Sequence, residues 1–219
     1  FPYDKDRGVF LQQEGYLDKE QLTIDDLDPS ERPINQVWSW DRILRSCFIK
    51  QADVLQGLYF LEDHYDIQTI RKNFDFYEAR TVHESSLSPC VHSILAGKLG
   101  YREKAYNLYL RTARLDLDDY NHEVDEGCHV TSMAGTYMSI VEGFGGMRIK
   151  DDELHFNPFI PEKWTLYSFI VKFRGRQIKV EVDKDKTTIY NQSGPAIKLY
   201  LFDEEYKIAE KNHITAKNI

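Results

Sequence analysis

No apolar run comes near the ~18 residues that a membrane-crossing helix needs. The opening FPYDKDRG has neither the basic start nor the apolar middle of a secretory signal. Cysteine is scarce: Cys47, Cys90 and Cys128 stand far apart, odd in number and without a CxxC pair. That excludes a disulfide framework and a zinc ribbon and suits a reducing compartment. Clustered Lys and Arg are also missing, and 28 basic against 36 acidic residues leave a net charge of −8, which argues against a groove for nucleic acid. GxGxxG, GxxxxGK[ST] and GxSxG do not occur, so the nucleotide loops and the esterase nucleophile elbow are out. The seven histidines never pair at i, i+4, and only His83 and His92 share a local segment, so no metal is expected. With 42% apolar residues and only 7 Pro and 12 Gly, the 219 residues can bury a true core. The expectation is a cytoplasmic globular chain without nucleic-acid or membrane partners, binding something small.

The first residue is Phe, and Phe1 to Glu31 carries nine acids and three bases without sustained periodicity; it reads as an extended, surface-hugging stretch of something longer. From Trp38 to about Tyr65 apolar residues recur at helical intervals, and Ile67, Ile70, Phe74 and Tyr77 form one stripe. Ser88-Pro89 offers a helix start with Ser as N-cap, running Cys90 to Leu99 and ending at Gly100. Further helices are expected over Arg102 to Leu115 and Thr131 to Val141. After Gly146 the period falls to 2, in Leu154/Phe156, Tyr167/Phe169/Val171/Phe173, Ile178/Val180/Val182, Thr187/Ile189 and Ile197/Leu199/Leu201. Arg174-Gly175-Arg176 and Lys184-Asp185 read as hairpin turns. The pattern predicts an α+β chain by segregation, with a helical part over 1–146 and a small antiparallel β-sheet domain over 147–219.

Polar residues crowd the junctions between the helices. Lys50-Gln51 supplies an ammonium and an amide suited to the hydroxyls of a sugar, although the dipeptide alone better describes a solvated helix start with Asp53 near its positive end. HESSLSPCVH, from His83 to His92, places His83, Glu84 and Ser85 before a Pro-initiated helix; capping accounts for Ser88 and leaves those three without a role. The third cluster, DLDDYNHEVDEGCHVTSMAG from Asp116 to Gly135, is acidic at first and solvated. It then sets His129, Thr131 and Ser132 at a helix start, an arrangement able to hold an anion or simply to cap the helix.

FIKQADV from Phe48, HESSLSPCVHSI from His83 and DYNHEVDEGCHVTSMAGTY from Asp119, in this order, resemble the C-terminal part of the glycoside hydrolase family 65 phosphorylases, those acting on maltose above all. The resemblance covers nearly the whole chain. It implies the C-terminal helices of an (α/α)6 barrel followed by a small β-sheet domain. The implied reaction is inverting phosphorolysis: a glutamic acid protonates the glycosidic oxygen while inorganic phosphate, the co-substrate, attacks the anomeric carbon. Maltose would give β-glucose 1-phosphate and glucose, with no further cofactor. Carried over, Lys50 and Gln51 are the substrate-binding pair, and His129, Thr131 and Ser132 the phosphate-binding loop. Glu84 would hold a sugar hydroxyl or stand where a hydrolase keeps its base. No catalytic residue is expected within the chain, since the acid of the family lies well upstream of Lys50. A homodimer is expected of the full-length enzyme. The alternatives are a hydrolase, a trehalose, kojibiose or nigerose phosphorylase of the same fold, and a non-catalytic carbohydrate-binding module, for which exposed aromatic faces in the β tail would speak.

Overall fold

The computed structural model describes residues 2–219. Phe1 of the acidic opening lies outside them. The opening is less superficial than its composition suggests. Strands β1 (Tyr3–Asp4) and β2 (Val9–Phe10) form a small ribbon, followed by short 3-10 turns. Tyr16 is fully buried, its hydroxyl donating to the Cys47 carbonyl at 2.5 Å. Asn73 Oδ1 accepts from the Phe10 amide, and the Tyr77 hydroxyl donates to the Phe10 carbonyl. These contacts clamp the segment onto the helices and hydrogen-bond its backbone.

After a short α1 (Ile34–Val37), the helical spacing from Trp38 to Tyr65 is realised in two stretches, α2 (Trp40–Arg45) and α3 (Asp53–Phe60). Between the last two, Ile49 makes a parallel bridge with Thr81, which pulls the backbone out of helix and delivers Lys50 and Gln51 in a loop. Then come α4 (Ile67–Glu78), α5 (Ser88–Lys98), α6 (Arg102–Ala113), α7 (Leu115–Asp118) and α8 (Val130–Met138), close to the periods read from the sequence. Every residue of α5 from Ser88 to Ala96 is buried, as befits a helix with neighbours on all sides. Helices α3, α4, α6 and α8 all pack on it.

Beyond α8 a π-helical turn, Ser139–Phe144, leads to Gly146, which has φ 57° and lies so close to the Asn157 carbonyl that a Cβ would stand 2.4 Å from its oxygen. There the period changes, as expected. Strands β3 (Arg148–Lys150), β4 (Glu153–Phe156), β8 (Ile197–Leu201) and β9 (Glu204–Ile208) form one sheet in the order β3-β4-β8-β9. In it β4 and β8 run parallel, a departure from the wholly antiparallel expectation. The second sheet, in the order β10-β7-β6-β5, is antiparallel and built from β5 (Leu166–Phe173), β6 (Arg176–Asp183), β7 (Lys186–Ser193) and β10 (Asn212–Lys217). Alternation buries Ile178, Val180 and Val182 of β6, and Ile197, Leu199 and Leu201 of β8, in a core continuous with that of the helices. Strands β9 and β10 were not apparent in the sequence.

The helices and sheets are joined by two devices. Trp164 stands edge-on to Tyr106, Tyr109 and Phe144 at interplanar angles of 88°, 90° and 89°. Beside this cluster, buried Glu62 takes Arg148 Nε at 2.5 Å and Lys98 Nζ at 3.2 Å. Burial raises the Glu62 pKa, and the two cations, Arg148 first, bring it below the ordinary value.

Candidate functional site

Helices α3, α5 and α8 face one concavity of about 470 Å³. Gln51, Asp53, Gln56 and Phe60 line it from the first, Leu87, Cys90 and Val91 from the second, and Thr131, Ala134, Gly135 and Met138 from the third. Three segments far apart in sequence therefore meet. Helices α5 and α8 approach closely because position 135 is glycine: a Cβ there would lie 2.8 Å from Cys90 Cβ. Gln12 donates to Asp53 Oδ2 at 2.7 Å, while partial burial raises the Asp53 pKa.

Of the residues singled out in the sequence, Gln51 and Thr131 are exposed and share this concavity. Lys50 is adjacent and half-buried, outside the lining. Glu84 opens onto a second cavity of about 260 Å³, with Arg32, Pro33, Arg111, Tyr120, Asn121 and His122. There Glu84 is 2% exposed, with Oε1 3.6 Å from Arg32 Nε and Oε2 accepting from the Asn35 amide at 3.4 Å. Neither amide atom of buried Asn121 has a hydrogen-bond partner. His129 lies between acids: its Nδ1 is 2.5 Å from Asp116 Oδ1 and its Nε2 is 3.7 Å from Glu123 Oε2. Its side-chain hydrogen bond also lowers the Asp116 pKa.

Both capping expectations are corrected. Ser88 is the first residue of α5 and does not cap it; its hydroxyl is buried 3.0 Å from His83 Nδ1, because the His83 ring turns inward and takes it. Helix α8 begins at Val130 after His129, without a side-chain cap. Ser132 is buried and donates to the Thr112 carbonyl at 2.7 Å, which ties α8 to α6, and Thr131 is left free at the cavity wall.

The fold also assembles a group that residue spacing did not announce. Glu78, at the end of α4, lies 2.5 Å from His92 Nδ1 and 3.4 Å from His83 Nε2, and its other oxygen is 3.3 Å from Lys104 Nζ. The two imidazoles stand edge to face with centroids 4.6 Å apart. Desolvation lowers the pKa of His83 to about 4; burial alone would raise that of Glu78, but the two imidazoles facing it carry the carboxyl far below its ordinary value. The only sequence signal was His83 and His92 sharing one segment; Glu78 comes from another helix.

Helices packed around α5, with polar loops opening onto cavities and a two-sheet β domain behind them, make an α+β chain by segregation, helices first and strands last. Residues 1–138 match the glycosyl hydrolase family 65 central catalytic domain and residues 147–208 the family 65 C-terminal domain, so the chain belongs to glycosyl hydrolase family 65. It is 50% identical over 204 residues to the maltose phosphorylase of Bacillus subtilis (strain 168), covering 93% of this chain and 27% of that protein. It is 41% identical over 213 residues to the alpha,alpha-trehalose phosphorylase of Thermoanaerobacter brockii, covering 97% and 27%. The solved structure of a putative kojibiose phosphorylase from the human microbiome superposes with a TM-score of 0.91 at 38% identity, over 99% of this chain and 30% of that one. The chain thus spans about a quarter of the length of the curated relatives it matches. Among the described residues, no helix is long and apolar enough to cross a membrane.

Proposed function

We propose that this chain is the C-terminal part of an inverting glycoside phosphorylase that cleaves an α-linked glucose disaccharide, maltose first, with inorganic phosphate. The bond from the anomeric carbon to the glycosidic oxygen breaks and a bond from that carbon to a phosphate oxygen forms. The leaving oxygen takes a proton from a glutamic acid supplied from outside these residues, giving β-glucose 1-phosphate and glucose. Phosphate here replaces the base-activated water of an inverting hydrolase. The observation that carries this reading is that Gln51, Leu87 and Thr131, from three segments far apart in the sequence, line one concavity. Lys50 and Gln51 hold sugar hydroxyls, as does Glu84 from the neighbouring cavity. Thr131, with His129 and Ser132 behind it, forms the phosphate end. Maltose leads the other disaccharides because identity to the maltose phosphorylase, 50%, exceeds the 41% to the trehalose enzyme.

A carbohydrate-binding module is disfavoured, since no aromatic residue of the β tail is among the exposed large hydrophobics. The full-length protein would act as a homodimer in the cytoplasm. Glucose 1-phosphate formation by the full-length protein from maltose, trehalose, kojibiose and nigerose, each with and without phosphate, tests the reading. Product from maltose with phosphate only is expected. Free glucose released equally without phosphate would establish hydrolysis and end the phosphate assignment of His129, Thr131 and Ser132.

A further inference from the structure

Buried histidines are held by what their ring nitrogens can give and take. An ionised carboxylate only accepts, so the 2.5 Å contact with Glu78 Oε2 assigns a proton to His92 Nδ1. The same oxygen faces His83 Nε2, so His83 Nδ1 is left to accept from the Ser88 hydroxyl. On its other side the His83 carbonyl receives Arg111 Nε at 3.2 Å and Nη2 at 2.8 Å. His83 needs this grip, because its φ of 54° lies in the left-handed region that a residue with a Cβ occupies at a cost. The next two residues are Glu84 and Ser85, both buried in the loop that enters α5.

We propose that Glu78 is a positioning residue: through His92 and His83 it locks the left-handed turn from which Glu84 and Ser85 are presented to the substrate. This rests on the reading of the site as a phosphorylase centre. Lys104, on the outer oxygen of Glu78, balances its charge.

One carboxylate and two imidazoles with donor atoms within 4.8 Å of one another are also a ligand set for a divalent cation. Two features favour the hydrogen-bonded arrangement. The 2.5 Å spacing between nitrogen and oxygen is shorter than the roughly 3.3 Å edge of a tetrahedral zinc site, and an ammonium occupies the carboxylate's other oxygen.

The test begins with the wild-type chain, where nitrogen-proton correlation spectra of the histidine rings report the tautomers. His92 is expected as the Nδ1–H form, the less common one in solution, and an Nε2–H ring overturns the proposal. In the full-length protein, Glu78→Gln should lower kcat for phosphorolysis by about tenfold or more, as misplacement of a binding group does. His92→Asn, whose amide restores a donor where Nδ1 stood, should retain most activity, whereas His92→Leu should fall with Glu78→Gln. An active wild type with an unchanged kcat in Glu78→Gln overturns the positioning role alone. A wild type without phosphorolysis overturns the functional reading as well. Calorimetric titration with zinc chloride should show no binding, and tight binding abolished by Glu78→Gln would replace this account with a metal site.

Discussion

Gly135 and His83 are the two residues on which the site's shape most depends. Replacing Gly135 with Ala drives a methyl group against Cys90 in a contact between α5 and α8 that has no slack. The expected loss is about 1–3 kcal/mol of stability, read from urea unfolding. His83 makes the fold sensitive to acid. With a pKa of about 4 in the folded state against 6.5 unfolded, the unfolded chain binds the extra proton between these values. Stability is therefore full above pH 6.5 and falls toward pH 4, by about 3 kcal/mol from this group. Glu78, with its pKa lowered, adds a further loss below pH 4.5. His83→Gln should flatten the upper part of the melting temperature against pH profile, and an unchanged slope between pH 6.5 and 4 would assign it to other groups. In the sequence, His83 is a polar residue that capping leaves without a role; its partner Glu78 arrives by tertiary packing and leaves no local periodic signature.

At the scale of elements, helices α4 and α6 and strands β5 to β8 were legible because each has an apolar stripe or alternation to bury, while α5, buried on all sides, was legible from Pro89 at its start and Gly100 past its end. Strands β9 and β10 were not, because EEYKI and NHITAK lie at sheet edges with most side chains exposed and lack a two-sided contrast. The junction carrying Lys50 and Gln51 is legible from its polar residues, whereas the bridge from Ile49 to Thr81 that shapes its backbone comes from a distant segment and leaves no local sign. The joint between helices and sheets was equally silent, since Glu62 and Arg148 are 86 positions apart. Arg148→Met leaves the buried Glu62 carboxylate with Lys98 alone. It is expected to cost about 3 kcal/mol in chemical denaturation. A double variant with Glu62→Leu should recover much of that loss.

Over the whole molecule, the face around the larger cavity is unusually apolar. Phe60, Val130, Met133 and Tyr137 are 71%, 70%, 53% and 52% exposed, and the last three follow one stripe of α8. An apolar face of this size is one that association covers. The isolated chain should therefore associate as its concentration rises in light scattering, and Val130→Glu with Tyr137→Ser should return it to a monomer.

The anomeric configuration of the first product tests the proposed phosphorolysis most directly. Proton NMR of the full-length protein with maltose and phosphate should show β-glucose 1-phosphate appearing together with glucose, and nothing when phosphate is omitted. An α-configured phosphate, or glucose released at the same rate without phosphate, would contradict it.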